Sequence, residues 1–374
     1  MIVLLGAAPA FAQAEPAVPS VEDAPIAILV DVTSGQVLFS RDADRRFVPA
    51  SITKAMTLLT AFEKIEEGTL DPSQSFVMAD DTWREWGAKG STMWINASDR
   101  VSVDDLLMGI ANVSANDASV MLAEGEAGSV EAWVASMNAM ARALGMTQSH
   151  FGTPNGWPDE GATFTTASDL VLLANALVTR HPSRYARYIG KPGFAYGGIE
   201  QPNRDPLIRG TLGADGIKTG YTNEAGFGYL GTAQRDGQRL VVVIAGAPRQ
   251  SARNRAARGL IEWGFGEFDR ELLFEAGDVV GSARVQNGSS LAVDLKSDQP
   301  IYVNIPKGRL AEASASIRYD GPIRAPVAAD QRIATLVVEV SGMEAARIPL
   351  HAAEPVQEAG FFARIFNGIM GWLT

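Results

Sequence analysis

A chain of 374 residues has the length of two or three domains at about 100–200 residues each, enough to bury a sizeable core. Its 46% apolar and 20% charged residues suit an ordinary folded protein, and no run approaches the roughly 20 apolar residues of a membrane-crossing helix, which excludes global disorder and a polytopic membrane protein. A net charge of −11 argues against a general nucleic-acid-binding surface, and the absence of cysteine removes thiol nucleophiles, iron–sulfur clusters and cysteine–zinc sites together.

The chain opens on an apolar stretch ending in Ala10-Phe11-Ala12, a small-x-small pattern that reads residues 1–12 as a signal peptide. Its positive leading region is missing, so a start upstream of Met1 or a segment without an export role are the two alternatives. Beyond an acidic lead, residues 26–32 and 36–40 flank Thr33-Ser34-Gly35 as a strand-turn-strand hairpin. Apolar residues at helical spacing then mark helices over 55–66, 103–110, 118–126, 130–144 and 167–178. Strands at 226–233 and 239–245 bracket Asp236-Gly237, a strong hairpin turn, and 253–263 returns to helix. Strands at both ends with helices between them predict an α+β domain over 22–268, its sheet assembled from distant parts of the chain. From there the pattern changes to short strand-like runs separated by turns such as Asn287-Gly288 and Asp320-Gly321-Pro322, which predicts a small all-β sandwich over 269–352. Residues 353–374 carry Phe361, Phe362, Ile365, Phe366, Ile369, Met370, Trp372 and Leu373 at spacings of three and four, one apolar helical face. Such a helix either lies in a membrane interface or docks on a neighbouring domain; Arg364 is its one basic residue, where interfacial helices usually carry several.

Without cysteine, catalysis falls to Ser, Thr, Lys, His or carboxylates. The three histidines, His150, His181 and His351, form no zinc-protease pattern and all read as surface residues. Lysine is scarce, and two lysines fall in motifs. Ser51-Ile52-Thr53-Lys54 stands at the start of a helix, where a spacing of three puts hydroxyl and amine on one face. A neutral Lys54 could then take the Ser51 proton, although serine is also a common helix cap. Ser114-Ala115-Asn116 falls in a break between two helices, where turn chemistry is the plain alternative. Lys218-Thr219-Gly220, followed by Tyr221 and Thr222, precedes the Asp-Gly hairpin, and its glycine would let a substrate approach the strand closely. Each motif alone is weak; their joint order is a known signature of penicillin-binding proteins and class A β-lactamases.

With Pro49-Ala50 before Ser51, Asp117-Ala118 after Asn116 and Leu144-Gly145-Met146, the sequence resembles the D-alanyl-D-alanine carboxypeptidases among the low-molecular-mass penicillin-binding proteins, relatives of penicillin-binding proteins five and six. The resemblance implies a penicillin-binding, serine β-lactamase-like transpeptidase fold, an antiparallel sheet with helices, followed by that family's second domain and membrane anchor. It implies a cofactor-free, metal-free serine carboxypeptidase at the periplasmic face of the inner membrane, acting on peptidoglycan stem peptides, acylated by β-lactams and not bound to nucleic acid. Ser51 would attack the bond between the last two D-alanines, Lys54 would accept its proton, Ser114 would relay a proton to the leaving amine, and Asn116 would hold Lys54 and the substrate backbone. Backbone N–H groups of Ser51 and Tyr221 would form the oxyanion hole, while Lys218, Thr219 and Arg253 would take the terminal carboxylate, with Gly220 and Thr222 on the same substrate-binding strand. A solvated helix position is the alternative for Arg253. The chain departs from the family with Ala115 in place of a usual glycine, Tyr221 in place of a frequent histidine, and Thr163 to Asp169 in place of a histidine-containing segment; no catalytic role is assigned to that last stretch. Two further functions compete: a serine β-lactamase, for which Glu160 is the one loop acid to consider, and a catalytically idle wall-binding protein.

Overall fold

The computed structural model describes residues 18–308 and 313–360, so the segment read as a signal peptide and the apolar residues from Phe361 onward lie outside the described residues. The first hairpin forms as expected, β1 (Ile26–Asp31) against β2 (Gln36–Arg41). Its turn is held by the Asp31 carboxylate, which accepts the Thr33 and Ser34 N–H groups at 2.9 and 3.3 Å, with Gly35 at φ +74° where a side chain would be strained. A single 3-10 turn, Ala50–Thr53, runs into α1 (Lys54–Glu66). Two short ribbons follow among the helices: β3 (Ser75–Val77) pairs with β4 (Arg100–Ser102), and β5 (Gly193–Tyr196) with β6 (Ile199–Pro202). The helices are α2 (Asp80–Trp86), α3 (Val103–Asn112), α4 (Asn116–Ala127), α5 (Val130–Ala143), α6 (Ala167–Arg180), α7 (Pro182–Tyr188) and α8 (Gln250–Gly266). Ser102, Ser129 and Thr166 open α3, α5 and α6 by accepting a backbone N–H three residues on, which satisfies a donor that the helix cannot.

β7 (Ala214–Thr222), β8 (Gly226–Arg235) and β9 (Gln238–Ala247) complete one antiparallel sheet in the order β2-β1-β9-β8-β7. The chain thus closes its sheet across the about 170 residues between β2 and β7 that carry seven of its helices, the expected α+β arrangement. Asp236 and Gly237, both at positive φ, make the tight β8–β9 turn. The central β9 is buried on both faces, and alternation sorts its side chains. Val241, Val243 and Ala245 join the large core beneath α1 and α3 to α6, while Leu240, Val242 and Ile244 meet Leu260 and Ile261 of α8 on the opposite face. The sheet is therefore a rigid middle layer, and the motif residues sit at one end of it.

The second unit comprises β10 (Phe268–Phe274), β11 (Val279–Gln286), β12 (Ala292–Lys296), β13 (Ile301–Pro306), β14 (Ala313–Arg318), β15 (Ile323–Arg324), β16 (Arg332–Val340) and β17 (Ala346–Ala352). A six-stranded sheet, β14-β16-β17-β12-β11-β15, and the β10-β13 ribbon enclose a core that includes Val285, Leu295, Val303, Leu336 and Leu350. Residues 353–360 do not open a terminal helix as the sequence pattern suggested. They run back along this unit, with Val356 bridged to Val327 and buried with it in the core. The reason is composition: the apolar spacing that signals the helix begins only at Phe361, whereas Val356 is a strand-like residue flanked by Pro355.

The two units meet through buried polar groups. Asn304 of β13 donates from Nδ2 to Asp31 Oδ2 (2.8 Å), Ser34 Oγ (2.9 Å) and Gln36 Oε1 (3.1 Å), and Gln238 Nε2 donates to Asp31 Oδ2 (3.0 Å) and Asn304 Oδ1 (3.1 Å). A second expectation is corrected here. His181 is not a surface residue: it is 3% exposed, edge-on to the Phe62 ring and 3.3 Å from Glu63 Oε1, because α7 starts immediately after it and folds it back onto α1. That short helix, like α2, escaped the periodicity reading because seven residues are too few to display a period.

Candidate active site

The 3-10 turn delivers Ser51 to the open end of the sheet, with Ala50 before it held at φ 48°. Lys54, one turn later, is fully buried, and its Nζ lies 2.9 Å from Ser51 Oγ, 2.7 Å from Asn116 Oδ1 and 2.7 Å from the Asn155 carbonyl. Two of these partners can only accept. A neutral amine has two N–H groups for the two carbonyl oxygens and one lone pair left for the Ser51 hydroxyl, so the geometry matches a general base without an unsatisfied group. The electrostatics agree: burial, then the positive Lys218, hold Lys54 well below the ordinary lysine range, against the opposing pull of Asp117.

Ser114 sits between α3 and α4, and Asn116 is the first residue of α4, in keeping with the break in helical pattern. Ser114 takes φ 65°, a conformation rare outside glycine, asparagine and aspartate, and lines the cleft. Asn116 is fixed at both ends of its amide, Oδ1 to Lys54 and Nδ2 to the Lys89 carbonyl at 2.9 Å, while its N–H donates to the Ser91 carbonyl at 2.7 Å.

β7 forms the facing wall, with Thr219, Gly220, Tyr221 and Thr222 along the cleft and Lys218 behind them, 4% exposed. The role expected for Gly220 changes. A Cβ there would come within 2.5 Å of the Pro49 carbonyl oxygen, so the glycine lets β7 press against the turn that carries Ser51, rather than chiefly admitting a substrate. Lys218 Nζ donates to one acceptor among the described residues, the Thr219 carbonyl at 3.0 Å. Burial, then Arg204, pushes its ammonium down to about 7, with Asp205 opposing and Arg253 adding to the shift. Arg253 of α8 is 3% exposed, not a solvated helix position; its NH1 donates to the Gly228 carbonyl at 3.0 Å and it lines the cleft beside Gln250. The exposed Tyr221 ring stacks on Phe227 at 4.2 Å.

The cleft has a volume of about 540 Å³ and gathers Ser51, Ser114, Asn116, Thr219, Gly220, Tyr221, Thr222 and Arg253, with Lys54 and Lys218 in its floor and wall. It also contains residues that the motifs did not single out. Asn155 contributes through a main-chain carbonyl, which no side-chain pattern reveals. Trp157 lines the cleft edge-on to Trp86, and Arg204 lines it too, reaching Ser91 Oγ at 2.6 Å. Glu160, by contrast, is exposed and absent from the cleft lining. Thr166 and Asp169, in the segment given no catalytic role, cap α6 and hold Gln148 and Ser149. Among the described residues no group of acidic or histidine side chains is placed to hold a metal ion.

Comparison with known proteins agrees along both units. Residues 12–249 match the D-alanyl-D-alanine carboxypeptidase family, and residues 268–358 match the C-terminal domain of penicillin-binding protein 5. The chain is 33% identical over 359 residues to D-alanyl-D-alanine carboxypeptidase DacA of Escherichia coli, covering 95% of this chain and 88% of that protein. It is 34% identical over 357 residues to DacC of the same organism, covering 94% and 88%. Penicillin-binding protein 5 of Haemophilus influenzae superposes with a TM-score of 0.79 at 30% identity, covering 91% of this chain and all of that one. The ampicillin-bound penicillin-binding protein D2 of Listeria monocytogenes superposes at 0.60 and 27% identity, covering 68% of this chain and all of that one. With both units matched in order and the serine, lysine and strand motifs gathered at one cleft, this chain belongs to the D-alanyl-D-alanine carboxypeptidase family of serine peptidases.

Proposed function

We propose that Ser51 is the nucleophile by which this carboxypeptidase removes the terminal D-alanine from peptidoglycan stem peptides. The observation that supports it most is the neutral-lysine geometry, Lys54 Nζ shared between two carbonyl acceptors and the Ser51 hydroxyl. Lys54 takes the hydroxyl proton as Ser51 Oγ attacks the carbonyl carbon of the penultimate D-alanine. The developing oxyanion is met by the Ser51 and Tyr221 backbone N–H groups. Collapse of this intermediate breaks the peptide bond as Ser114 relays a proton to the departing amine, and water then hydrolyses the ester on Ser51. The substrate's terminal carboxylate lies against Thr219, Lys218 and Arg253, with Gly220 and Thr222 continuing the binding strand; an arginine fork and an ammonium suit that anion. Asn116 orients both Lys54 and the peptide.

The same site would be acylated by β-lactams, which present a strained amide and a carboxylate at comparable positions; the ampicillin complex of the Listeria protein supports this. No observation favours the β-lactamase reading, since Glu160 stands away from the cleft, and the intact set of Ser51, Lys54, Ser114, Asn116 and Lys218 opposes an idle binding protein. We divide the chain into the signal peptide at 1–12, a catalytic domain at 22–268 and a β domain that begins at 269 and extends past 352 to 360. We place the protein at the periplasmic face of the inner membrane, attached through the apolar segment from Phe361. Among the described residues no helix is long and apolar enough to cross a membrane.

The test is intact mass after incubation with benzylpenicillin, followed over time, together with D-alanine release from a peptide ending in D-alanyl-D-alanine. The wild type should release D-alanine and carry an adduct of the whole drug, and Ser51→Ala should do neither. Absence of D-alanine release, or an adduct that survives Ser51→Ala, overturns the reading.

A further inference from the structure

Behind the Lys218 end of the cleft lies a carboxylate that the reaction does not consume. Asp205 follows Arg204 in the loop after β6, and its Oδ1 accepts the N–H groups of Leu207 at 2.8 Å and Ile208 at 3.2 Å. The Tyr229 hydroxyl, fully buried on β8, lies 3.1 and 3.0 Å from the two Asp205 oxygens and 2.9 Å from the Gly216 carbonyl. Gly216 is two residues before Lys218 on β7. A continuous chain of contacts therefore runs from the Asp205 loop through Tyr229 into the strand that carries Lys218.

The charges around this point are unbalanced. Arg204 and Arg253 both act on Lys218 as like charges, while Asp205 is the carboxylate that acts on both Lys218 and Arg253; Asp117 acts at Lys54 instead. Asp205 forms no direct ion pair with any of these cations among the described residues, because its oxygens are already engaged by its own loop and by Tyr229. Burial pushes its carboxyl up, and the Leu207 N–H, the Tyr229 hydroxyl, the Ile208 N–H and Arg253 oppose that shift, so it supplies opposing charge at a distance. It takes up none of the N–H groups that Lys218 retains beyond its bond to the Thr219 carbonyl.

We propose that Asp205 is a positioning residue for the carboxylate-binding end of the cleft: through Tyr229 it anchors the strand bearing Lys218, and its charge keeps Lys218 and Arg253 together as cations for the substrate's terminal carboxylate. This rests on the functional reading above. Without Asp205, the crowded cations relieve their repulsion at the one member that releases a proton readily, Lys218, since an arginine does not. The carboxylate would then lose a charged partner while the Ser51–Lys54 end stayed intact.

The experiment compares wild type, Asp205→Asn and Tyr229→Phe on three readouts. These are kcat and KM for a D-alanyl-D-alanine peptide, the pH dependence of kcat/KM, and acylation rates by benzylpenicillin and by its carboxyl methyl ester. Asp205→Asn should raise KM about ten-fold with kcat little changed, the size of one charged hydrogen bond lost. It should also move the alkaline limb of kcat/KM to lower pH and cut the preference for free acid over ester about ten-fold. Tyr229→Phe should reduce the same preference by a smaller factor, and it decides the matter if Asp205→Asn does not fold. Equal losses on acid and ester, or a folded Asp205→Asn with wild-type KM and alkaline limb, overturn the proposal. Failure of the wild type to release D-alanine defeats the functional reading instead, so the two failures are distinct.

Discussion

Two buried lysines lie at the same cleft, Lys54 in its floor and Lys218 in its wall, and their hydrogen-bond partners differ in number. Lys54 has three hydrogen-bond partners and Lys218 has one. Burial penalises the ammonium form at both, so depth alone does not distinguish them. The distinction lies in what the nitrogen finds. At Lys54 two carbonyl oxygens and a hydroxyl occupy three positions around the nitrogen, an arrangement that a neutral amine fills with two N–H groups and its lone pair. Lys218 has one acceptor, the Thr219 carbonyl, and so keeps N–H groups that a substrate carboxylate could take up, in a small cavity it lines with Ser114 and Arg204. In the roles proposed above, one residue type serves as a base at one position and as an anion receptor at the other, by partner count and not by exposure.

The sharpest way to break this contrast is Lys54→Gln, which keeps hydrogen-bonding length but removes the lone pair. Acylation by benzylpenicillin and D-alanine release should both fall by about 10³-fold or more, the upper range for loss of a general base, read by intact mass and steady-state kinetics. Lys218→Gln should act more weakly and more selectively. A loss of about 10- to 100-fold in kcat/KM is expected on carboxylate-bearing peptides, borne mainly by KM, because a charged hydrogen bond is lost without the nucleophile being disturbed.

The pH profile sharpens the comparison without mutation. Lys54 must be neutral, so activity declines on the acid side as its depressed group takes up a proton. Lys218 must be charged, so kcat/KM declines as pH rises through about 7. A bound carboxylate favours the charged lysine, and the alkaline limb of kcat should therefore lie above that of kcat/KM. Coincident alkaline limbs would remove Lys218 from carboxylate binding.

Much of this was legible in the sequence because it depends on local pattern. Helical spacing located α1 and α3 to α6, and Asp236-Gly237 located the hairpin that centres the sheet. The joint order of the three motifs pointed to one cleft although they lie about 170 residues apart. What stayed hidden depends on tertiary approach. Asn155 acts through its carbonyl, and the reason for Gly220 is the Pro49 backbone pressed against it. Arg204 and Asp205 carry no motif and matter only because the loop after β6 returns to β7. His181 was misplaced for the same kind of reason: its place before Pro182 suggested an exposed turn, and only the fold-back of α7 reveals the Phe62 ring and Glu63 carboxylate that accommodate it.

The polar seam between the two units has a mechanical meaning. Gln238, which joins Asn304 and Asp31 there, is the first residue of β9, and the last, Ala247, leads through a short turn to Gln250 and Arg253 in the cleft. A strand buried from Leu240 to Ala245 thus spans the distance from seam to cleft. Swivelling one unit against the other would strand several buried donors and acceptors at once, each at a cost of about 1–3 kcal/mol, so the seam opposes rotation between the units. Whatever grips the far end of the β unit thereby sets the height and tilt at which the cleft meets a strand of wall polymer.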